Sequence, residues 1–542
     1  MKKKYDYIIV GGGSAGCLLA NRLSSDPQIQ VLLVEAGKAD RHPQIHVPAA
    51  FSKLFKGSLD WDFQTVPQEQ MRDREMYQPR GKVLGGSSSI NAMIYIRGHR
   101  ADYDAWVRAG NPGWAHQEVL PYFKKSEQNL DLTDDFHGTQ GELIVSNPRY
   151  THPLVRAMVK AAEEAGMRFN PDFNGADPIG VGYYQVNQKK GRRWSAARAF
   201  LSRAVKGRSN LTLWTDTQAH KILLEDRRVK GLRVRRGGSL VDLQVEKELI
   251  LSAGAFGSPQ LLMLSGIGEP EELRKLGIPI VQALPGVGKN LQDHLLCGIG
   301  IHTDYKPTLD HAEALPYLMG NLGSFLFRGK GMLTSNVAEF GGFATTREGL
   351  SAPDIQLHGA AAHFVRHGFD NPKGQGGFSL GATLIKPGSR GTVRIQHPDP
   401  ETKPVIDPRY FSDPEDLETM IRGIRLVENI LEQSAIARFG KSRFVPEKRL
   451  DEREAIADFL RERAETLYHP VGSCKMGVDA QAVVDPELRV YGLSGLRIAD
   501  ASIMPEIVRG NTNAPTYMIA EKAADLIVQA RKFSREKAGQ VI

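Results

Sequence analysis

Three glycines near the start of the chain have a spacing that can do chemistry. Gly11, Gly13 and Gly16 form a G-x-G-x-x-G pattern, with Ser14 and Ala15 between the last two. Gly11 makes a tight turn, Gly13 lets the backbone approach a pyrophosphate, and Gly16 lets a helix pack close to strands. The helix that begins there offers unpaired N–H groups to phosphate oxygens. Glu35, nineteen residues past Gly16 and followed by Ala36, can accept hydrogen bonds from ribose hydroxyls and would repel a 2′-phosphate. The pattern serves NAD and FAD alike. Its position at the start of the chain, ahead of a long extension, favours FAD held as a prosthetic group. Two later stretches are also rich in small residues. One runs from Gly81 to Asn91 and contains Gly85-Gly86-Ser87-Ser88, whose amides can meet phosphate or flavin at short range. The other runs from Gly254 to Gly268 and reads as a helix with a glycine stop.

The elements that position these residues follow from hydrophobic periodicity. Asp6–Val10 reads as a buried strand, Cys17–Leu23 as a helix and Gln30–Val34 as a second strand, the β-α-β half-unit of a doubly wound sheet. From Glu35 to about residue 110 the texture is irregular, and so long a stretch in a compact protein is usually functional. Strands recur at Leu211–Trp214 and Glu248–Ala253, with a helix over Pro259–Leu264. Residues 300–465 have a different texture, mixing strands such as Thr392–Ile395 with helices such as Pro414–Gln433, and read as a second, α+β domain. The first texture returns with a strand at Leu496–Asp500 and a helix at Thr516–Ile527. The expected layout is therefore a discontinuous α/β nucleotide domain (residues 1–150, 205–300 and 470–542) and a substrate domain (151–204 and 301–469).

Composition narrows the function classes. The chain has 542 residues, 41% of them hydrophobic, and a net charge of +8. Its basic clusters are short: Lys2-Lys3-Lys4, Lys189-Lys190 with Arg192-Arg193, and Arg233 with Arg235-Arg236. None alternates with aromatics as a single-strand groove would, so no nucleic-acid partner is expected. Scattered solvated charge is the plain reading, and docking on an anionic membrane is the second. Cys17, Cys297 and Cys474 are far apart and have no CxxC spacing, so no disulfide framework or zinc site is indicated, and no metal is expected. Met1–Lys4 is followed by too short an apolar run for a signal peptide, and no apolar stretch is long enough to span a membrane. The expected location is cytoplasmic, peripheral at most on the inner face of the cytoplasmic membrane.

The small-residue stretches, read in order, resemble both signature motifs of the glucose–methanol–choline (GMC) oxidoreductases. The resemblance continues through Leu284–His294, Tyr468–Gly472 and Gly510–Thr516, and covers nearly the whole chain. Tyr95–His99 and Gly191–Ser195 resemble the bacterial flavin alcohol and choline dehydrogenases of that family. The resemblance implies an FAD domain with a six-stranded sheet on its substrate face, the discontinuous layout above, and an α+β substrate domain carrying an antiparallel sheet. It implies FAD contacts from Gly11, Gly13, Ser14, Ala15, Gly16, Glu35 and Ala36, and from Arg80, Val83, Gly85, Gly86, Ser87, Asn91, Ala92, Met93 and Ile94. It further implies Ala219 at the adenine, with Ala253, Asp500, Ala501, Asn511, Thr512 and Thr516. Some relatives attach FAD through a histidine where this chain has Ile90, so non-covalent FAD is expected.

The resemblance also assigns the catalytic pair, His469 and Asn513, with His99 and His294 as structural or flavin-side residues. A neutral imidazole can take or relay a hydroxyl proton, and a carboxamide can orient the alcohol oxygen. The implied reaction is oxidation of a primary alcohol by hydride transfer to flavin N5. Electrons would pass to a quinone-type or other non-oxygen acceptor; the alternatives are choline as the substrate or oxygen as the acceptor, with a flavin-containing lyase as the remote reading. Glu339 and His358, polar residues in apolar or glycine-rich strands, are candidates for the substrate wall.

Overall fold

The computed structural model describes residues 4–315, 317–364, 366–369, 372 and 374–539. Lys2 and Lys3 of the first basic cluster and residues 540–542 of the expected nucleotide domain lie outside these.

Two sheets organise the chain. In the first, Lys4–Val10 pairs in parallel with Val31–Val34 and with Ser239–Leu251, and Leu211–Trp214 extends the parallel set beyond Val31–Val34. Val31–Val34, and the ends of the first and third strands at residues 8–10 and 249–251, are continuous apolar runs because both faces are covered there. Val31, Leu32, Leu33 and Val34 are all buried. Ser239–Leu251 is long enough to serve two neighbourhoods. Its first half forms an antiparallel meander with Arg228–Arg236 and, beyond that, Thr217–Glu225, whereas its last three residues pair with Leu496–Ile498. That last pairing closes the first layer with chain from the far end of the sequence.

The helix Ser14–Leu23 begins at the glycine turn, three residues before the expected start, and is buried along nearly its whole length. A Cβ on Gly16 would stand 1.9 Å from the Gly11 carbonyl oxygen, so only glycine allows this helix to sit so close to the turn. The helix Gly254–Leu264 begins five residues before Pro259; the proline is accommodated inside it rather than marking its start. The closing helix, Asn513–Gly539, is longer than the expected Thr516–Ile527 in both directions.

The second sheet is antiparallel, in the order Ser442–Val445, Leu295–Thr303, Gly376–Leu384, Ile355–Ala360, Phe340–Ala344 and Gly180–Tyr183. These are six strands in line, with the two-residue strand Glu465–Thr466 paired beside Leu295–Thr303. Leu295–Thr303 already belongs to this sheet, so the expected boundary at residue 300 falls inside a strand. One face packs on helices Pro153–Glu164, Pro414–Glu432 and Arg453–Arg463 through a common apolar core. Pro414–Glu432 shows why such a helix forms. Asp413 caps it by accepting from the Glu415 N–H at 3.0 Å, proline opens the first turn, and Leu417, Met420, Ile421, Ile424 and Val427 form the buried stripe. The other face of the sheet is turned towards the first layer. Along Ile355–Ala360 the two-residue period puts Ile355 and Leu357 in the helical core and leaves Gln356 and His358 on the opposite face.

Candidate active site

A cavity runs between the two layers, and most of the residues expected at the cofactor line it. The glycine turn contributes Gly11, Gly13, Ser14 and Ala15, with Glu35 beside them. The second glycine-rich loop contributes Arg80, Gly86, Ser87, Asn91, Ala92, Met93 and Ile94. Ala253, Asp500, Ala501, Asn511, Thr512, Asn513 and Thr516 close it from the far side. Ala36 and Ala219 line an adjoining recess that shares Gly11, Glu35, Trp61, Phe63 and Ala253 with the cavity.

Three expected cofactor residues stand behind the wall instead of on it. Gly16 is consumed by the contact with the Gly11 carbonyl. The Gly85 N–H donates to the Gly12 carbonyl at 2.7 Å, and Val83 is bridged to Lys38. The Gly85 bond draws the two glycine loops together. A Cβ on Gly86 would reach 2.7 Å from the Gly13 Cα, so bare backbone meets bare backbone there.

These walls fit a flavin dinucleotide. The recess around Ala36, Ala219, Trp61 and Phe63 suits a flat ring. Glu35, whose oxygens accept from the Gly12 and Gly37 N–H groups at 2.8 and 2.7 Å, stands where a ribose would lie. Gly13 and the start of Ser14–Leu23 offer amides to a pyrophosphate. Thr512 and Thr516, at the start of Asn513–Gly539, bring the positive end of a second helix dipole to the cavity.

At the other end stands His469. It follows Tyr468, a non-glycine residue at φ 69°, an uncommon conformation that persists where the surroundings over-determine it. Here the Thr466 hydroxyl accepts from the Tyr468 N–H at 2.8 Å, and the Leu467 N–H donates to the His294 carbonyl at 2.8 Å. Beneath the turn is the buried carboxylate of Asp293. Its Oδ1 accepts from the His469 and His294 N–H groups at 2.8 and 2.9 Å. Its Oδ2 accepts from the Tyr410 and Thr466 hydroxyls at 2.6 and 2.5 Å. Burial raises the Asp293 pKa, and these donors and the Arg80 charge oppose the rise.

The carboxamide that meets the His469 ring is Asn511, whereas Asn513 was the residue expected there. Gln356 Nε2 donates to Asn511 Oδ1 at 3.1 Å, which leaves Asn511 Nδ2 facing His469 Nε2 at 3.2 Å. An amide nitrogen only donates, so Nε2 is the acceptor. The ring proton therefore sits on His469 Nδ1, 3.0 Å from His294 Nδ1. Asn513 is engaged elsewhere, its carboxamide oxygen accepting from the Ser14 hydroxyl at 2.7 Å. This bond ties the starts of the two helices together. Both asparagines line the cavity; helix register separates them, because Asn513 is already the first residue of Asn513–Gly539.

Burial keeps the imidazoles neutral. It lowers the His469 pKa well below the ordinary histidine value, with His294, Arg80 and His358 adding repulsion. It brings His294 and His358 down to about 3. His294, expected to be structural or flavin-side, touches His469 directly, and the residues that hold this arrangement without having been expected are Asp293 and Gln356. Asp293 lies within the Leu284–His294 motif, which was a usable signal. Nothing near Gln356 in sequence marks it.

Of the two substrate-wall candidates, His358 lines the cavity, its Nδ1 3.1 Å from the Thr383 hydroxyl. Glu339 does not line it. Its carboxylate accepts from the His152 N–H at 2.7 Å and from the Ser335 hydroxyl, so its charge is spent holding a loop. The walls near His469 are otherwise largely apolar, with Ile90, Phe51, Phe55, Val337, Ala338, Phe364, Leu380 and Leu467.

Family comparison agrees with this geometry. The GMC oxidoreductase family models match residues 5–296 and 387–520. The chain belongs to the GMC oxidoreductases. The family is FAD-dependent, and this GMC oxidoreductase is a flavoenzyme by the same token. It is 47% identical over 533 residues to an alcohol dehydrogenase [acceptor] of Pseudomonas putida, covering 97% of this chain and 96% of that one. It is 41% identical to the mitochondrial choline dehydrogenase of Mus musculus, over 97% of this chain and 90% of that one. Among solved structures, pyridoxine 4-oxidase from Mesorbium loti superposes with a TM-score of 0.88 at 34% identity, covering 96% of this chain and 98% of that one.

The hydrogen bonds to Asp293 make a stability prediction. Asp293→Ala leaves two backbone N–H groups and two hydroxyls buried without their acceptor, at about 1–3 kcal/mol for each group left unpaired. Denaturant unfolding of the FAD-loaded variant should show a loss of at least about 3 kcal/mol. Asp293→Asn, which keeps one acceptor oxygen, should lose less, and equal stability of all three proteins would contradict the assigned role.

Proposed function

We propose that this flavoenzyme oxidises a neutral primary alcohol to its aldehyde and passes the electrons to a quinone-type or other non-oxygen acceptor. The observation that carries the reading is the chain Gln356–Asn511–His469–His294, which presents an unprotonated imidazole Nε2 to the cavity. Bound FAD supplies the hydride acceptor at N5. His469 Nε2 takes the hydroxyl proton as the hydride leaves, which is general-base catalysis. Asn511 Nδ2 donates to the alcohol oxygen and holds the carbinol carbon, so that positioning supplies much of the rate. Asn513, bonded to Ser14, keeps the two helix starts in place.

A neutral substrate is favoured over choline by the charges in the cavity. A quaternary ammonium calls for a carboxylate and aromatic faces. The carboxylates that line the cavity are Glu35, Glu465 and Asp500, and each is engaged: Glu35 at the glycine turn, Glu465 with Arg74 and His367, and Asp500 with Gly254 and Ser258. Arg80, Arg366 and Arg463 line the same cavity. The acceptor assignment draws on the name of the Pseudomonas putida relative. Non-covalent FAD is favoured because Ile90, which lines the cavity, has no nucleophilic atom to form the link. Acid precipitation should accordingly release the flavin into the supernatant, and flavin retained by the polypeptide would refute this.

The decisive experiment is anaerobic mixing with a panel of alcohols. Medium-chain and aromatic primary alcohols should bleach the flavin absorption faster than choline, and aerobic turnover with a dye should release little peroxide. Absence of bleaching by any alcohol would favour lyase chemistry. His469→Ala should slow flavin reduction at least about a hundredfold, and Asn511→Ala should slow it more than Asn513→Ala.

The pH profile follows from the histidine shift. A histidine pKa held below its ordinary value keeps the ring neutral throughout the range above that value. The rate constant of flavin reduction should therefore stay level from pH 8 down to about 6.5, the unperturbed histidine value. An acid limb centred at or above that pH would count against His469 as a neutral base.

A further inference from the structure

One surface of the molecule is not accounted for by the alcohol chemistry. The helix Tyr317–Gly323 buries none of its residues, and the turn Ser324–Arg328 that continues it buries only Phe325. Phe327 is 88% exposed, Leu315 79% and Met319 72%, and Leu322 and Leu326 are exposed as well. Single exposed apolar side chains are ordinary, but a contiguous group marks an interaction surface. Here five large apolar residues fall within thirteen consecutive positions, 315–327.

This apolar lip is ringed by cations. Arg328 and Lys330 follow it directly and are exposed. The basic hairpin at residues 188–193 is folded against its end, where Gly191 packs on the Gly329 carbonyl and the Arg192 guanidinium lies 5.4 Å from the Phe325 ring centre. Arg149 donates to the Gly329 carbonyl at 2.8 Å. Among the described residues, none of Arg149, Lys190, Arg192, Arg328 and Lys330 has a carboxylate ion-pair partner. The cluster Lys189-Lys190 with Arg192-Arg193, which looks like scattered charge in sequence, is thus partly gathered around an apolar surface.

The lip adjoins the substrate end of the cavity. Lys53 forms an ion pair with Glu313 just before the lip, and the segment Pro48–Leu54 that carries Lys53 also places Phe51 in the cavity wall. The same segment packs on Met332–Thr334, just beyond the lip.

We propose that Leu315 and residues 317–327 dock this enzyme on an anionic lipid bilayer. The apolar side chains enter the headgroup–acyl boundary while Arg149, Lys190, Arg192, Arg328 and Lys330 meet lipid phosphates. A second copy of the chain is a poorer occupant, because two-fold self-association would set the same unpaired cations against each other. Nucleic acid would leave the apolar residues without a partner. Docking brings the substrate end of the cavity close to the membrane, where apolar alcohols and lipid-soluble acceptors concentrate. That consequence rests on the proposed function, but the docking itself does not.

Vesicle flotation of the FAD-loaded enzyme tests the docking without turnover. The enzyme should float with phosphatidylcholine vesicles containing phosphatidylglycerol, bind weakly to phosphatidylcholine alone, and lose binding as salt rises. Phe327→Glu and Met319→Glu, both at exposed positions away from the cavity wall, should each weaken binding at least about tenfold, as expected when an inserted apolar group becomes a charge. Their activity on a water-soluble alcohol and dye should be unchanged. Lys330→Glu combined with Arg328→Glu should abolish the preference for phosphatidylglycerol. The proposal is overturned if the enzyme fails to float with anionic vesicles, if the glutamate variants float as well as the parent, or if sedimentation shows a dimer that Phe327→Glu dissolves while vesicles bind neither protein. Loss of alcohol turnover with flotation intact would count against the proposed function alone.

Discussion

The reaction end of the cavity depends on one buried carboxylate. Asp293 lies where the chain enters the second sheet, and it accepts hydrogen bonds from the backbone of both His294 and His469 and from the hydroxyls of Tyr410 and Thr466. Burial alone makes its charge costly. The donors that offset this cost fix the turn carrying His469, so the position of the imidazole and the solvation of the carboxylate are one problem with one solution. Arg80, which Asp293 helps to keep charged, in turn repels a proton from His469.

The same low-dielectric environment gives the imidazoles their character. His294, His358 and His469 are all pushed towards the neutral form, chiefly by desolvation. A neutral ring is ambiguous between tautomers, and the ambiguity is removed from a distance. Tyr184 accepts from Gln356 at 2.9 Å, Gln356 donates to Asn511, and Asn511 donates to His469. A two-residue period along Ile355–Ala360 places Gln356 on the cavity face of the second sheet, while the helix start at Asn513 orients the loop holding Asn511. Each layer therefore supplies one half of the device that decides which nitrogen is free.

The two ends of the cavity use different physics. At the glycine turn, side chains are excluded: Gly13 and Gly86 meet backbone to backbone, and helix starts supply the positive potential. At the His469 end, side chains form the wall, with apolar groups beside a few polar ones hydrogen-bonded to one another. The exposed apolar lip beyond that end continues the trend outward, since it too presents apolar surface bordered by cations.

The nucleotide half of the protein was legible in the residues themselves. A strand, a glycine turn, a helix and a strand ending in Glu35 encode local backbone geometry, and local geometry is what spacing and periodicity record. The return of the first layer near residue 496 was read from the same periodicity, whereas the second signature and the choice of His469 among the histidines came from the resemblance to the GMC oxidoreductases. Tertiary structure decided the rest. Asn511 and Asn513 sit two positions apart in one motif, and only the helix start at Asn513 and the approach of Gln356, 155 positions away, determine which carboxamide meets His469. Glu339 looked like a substrate contact because it is polar in an apolar strand, yet the loop at His152 and Ser335 uses both its oxygens. Sequence specifies the backbone path residue by residue, but the direction of a side chain and the partner it finds depend on segments that meet only when the two sheets have packed.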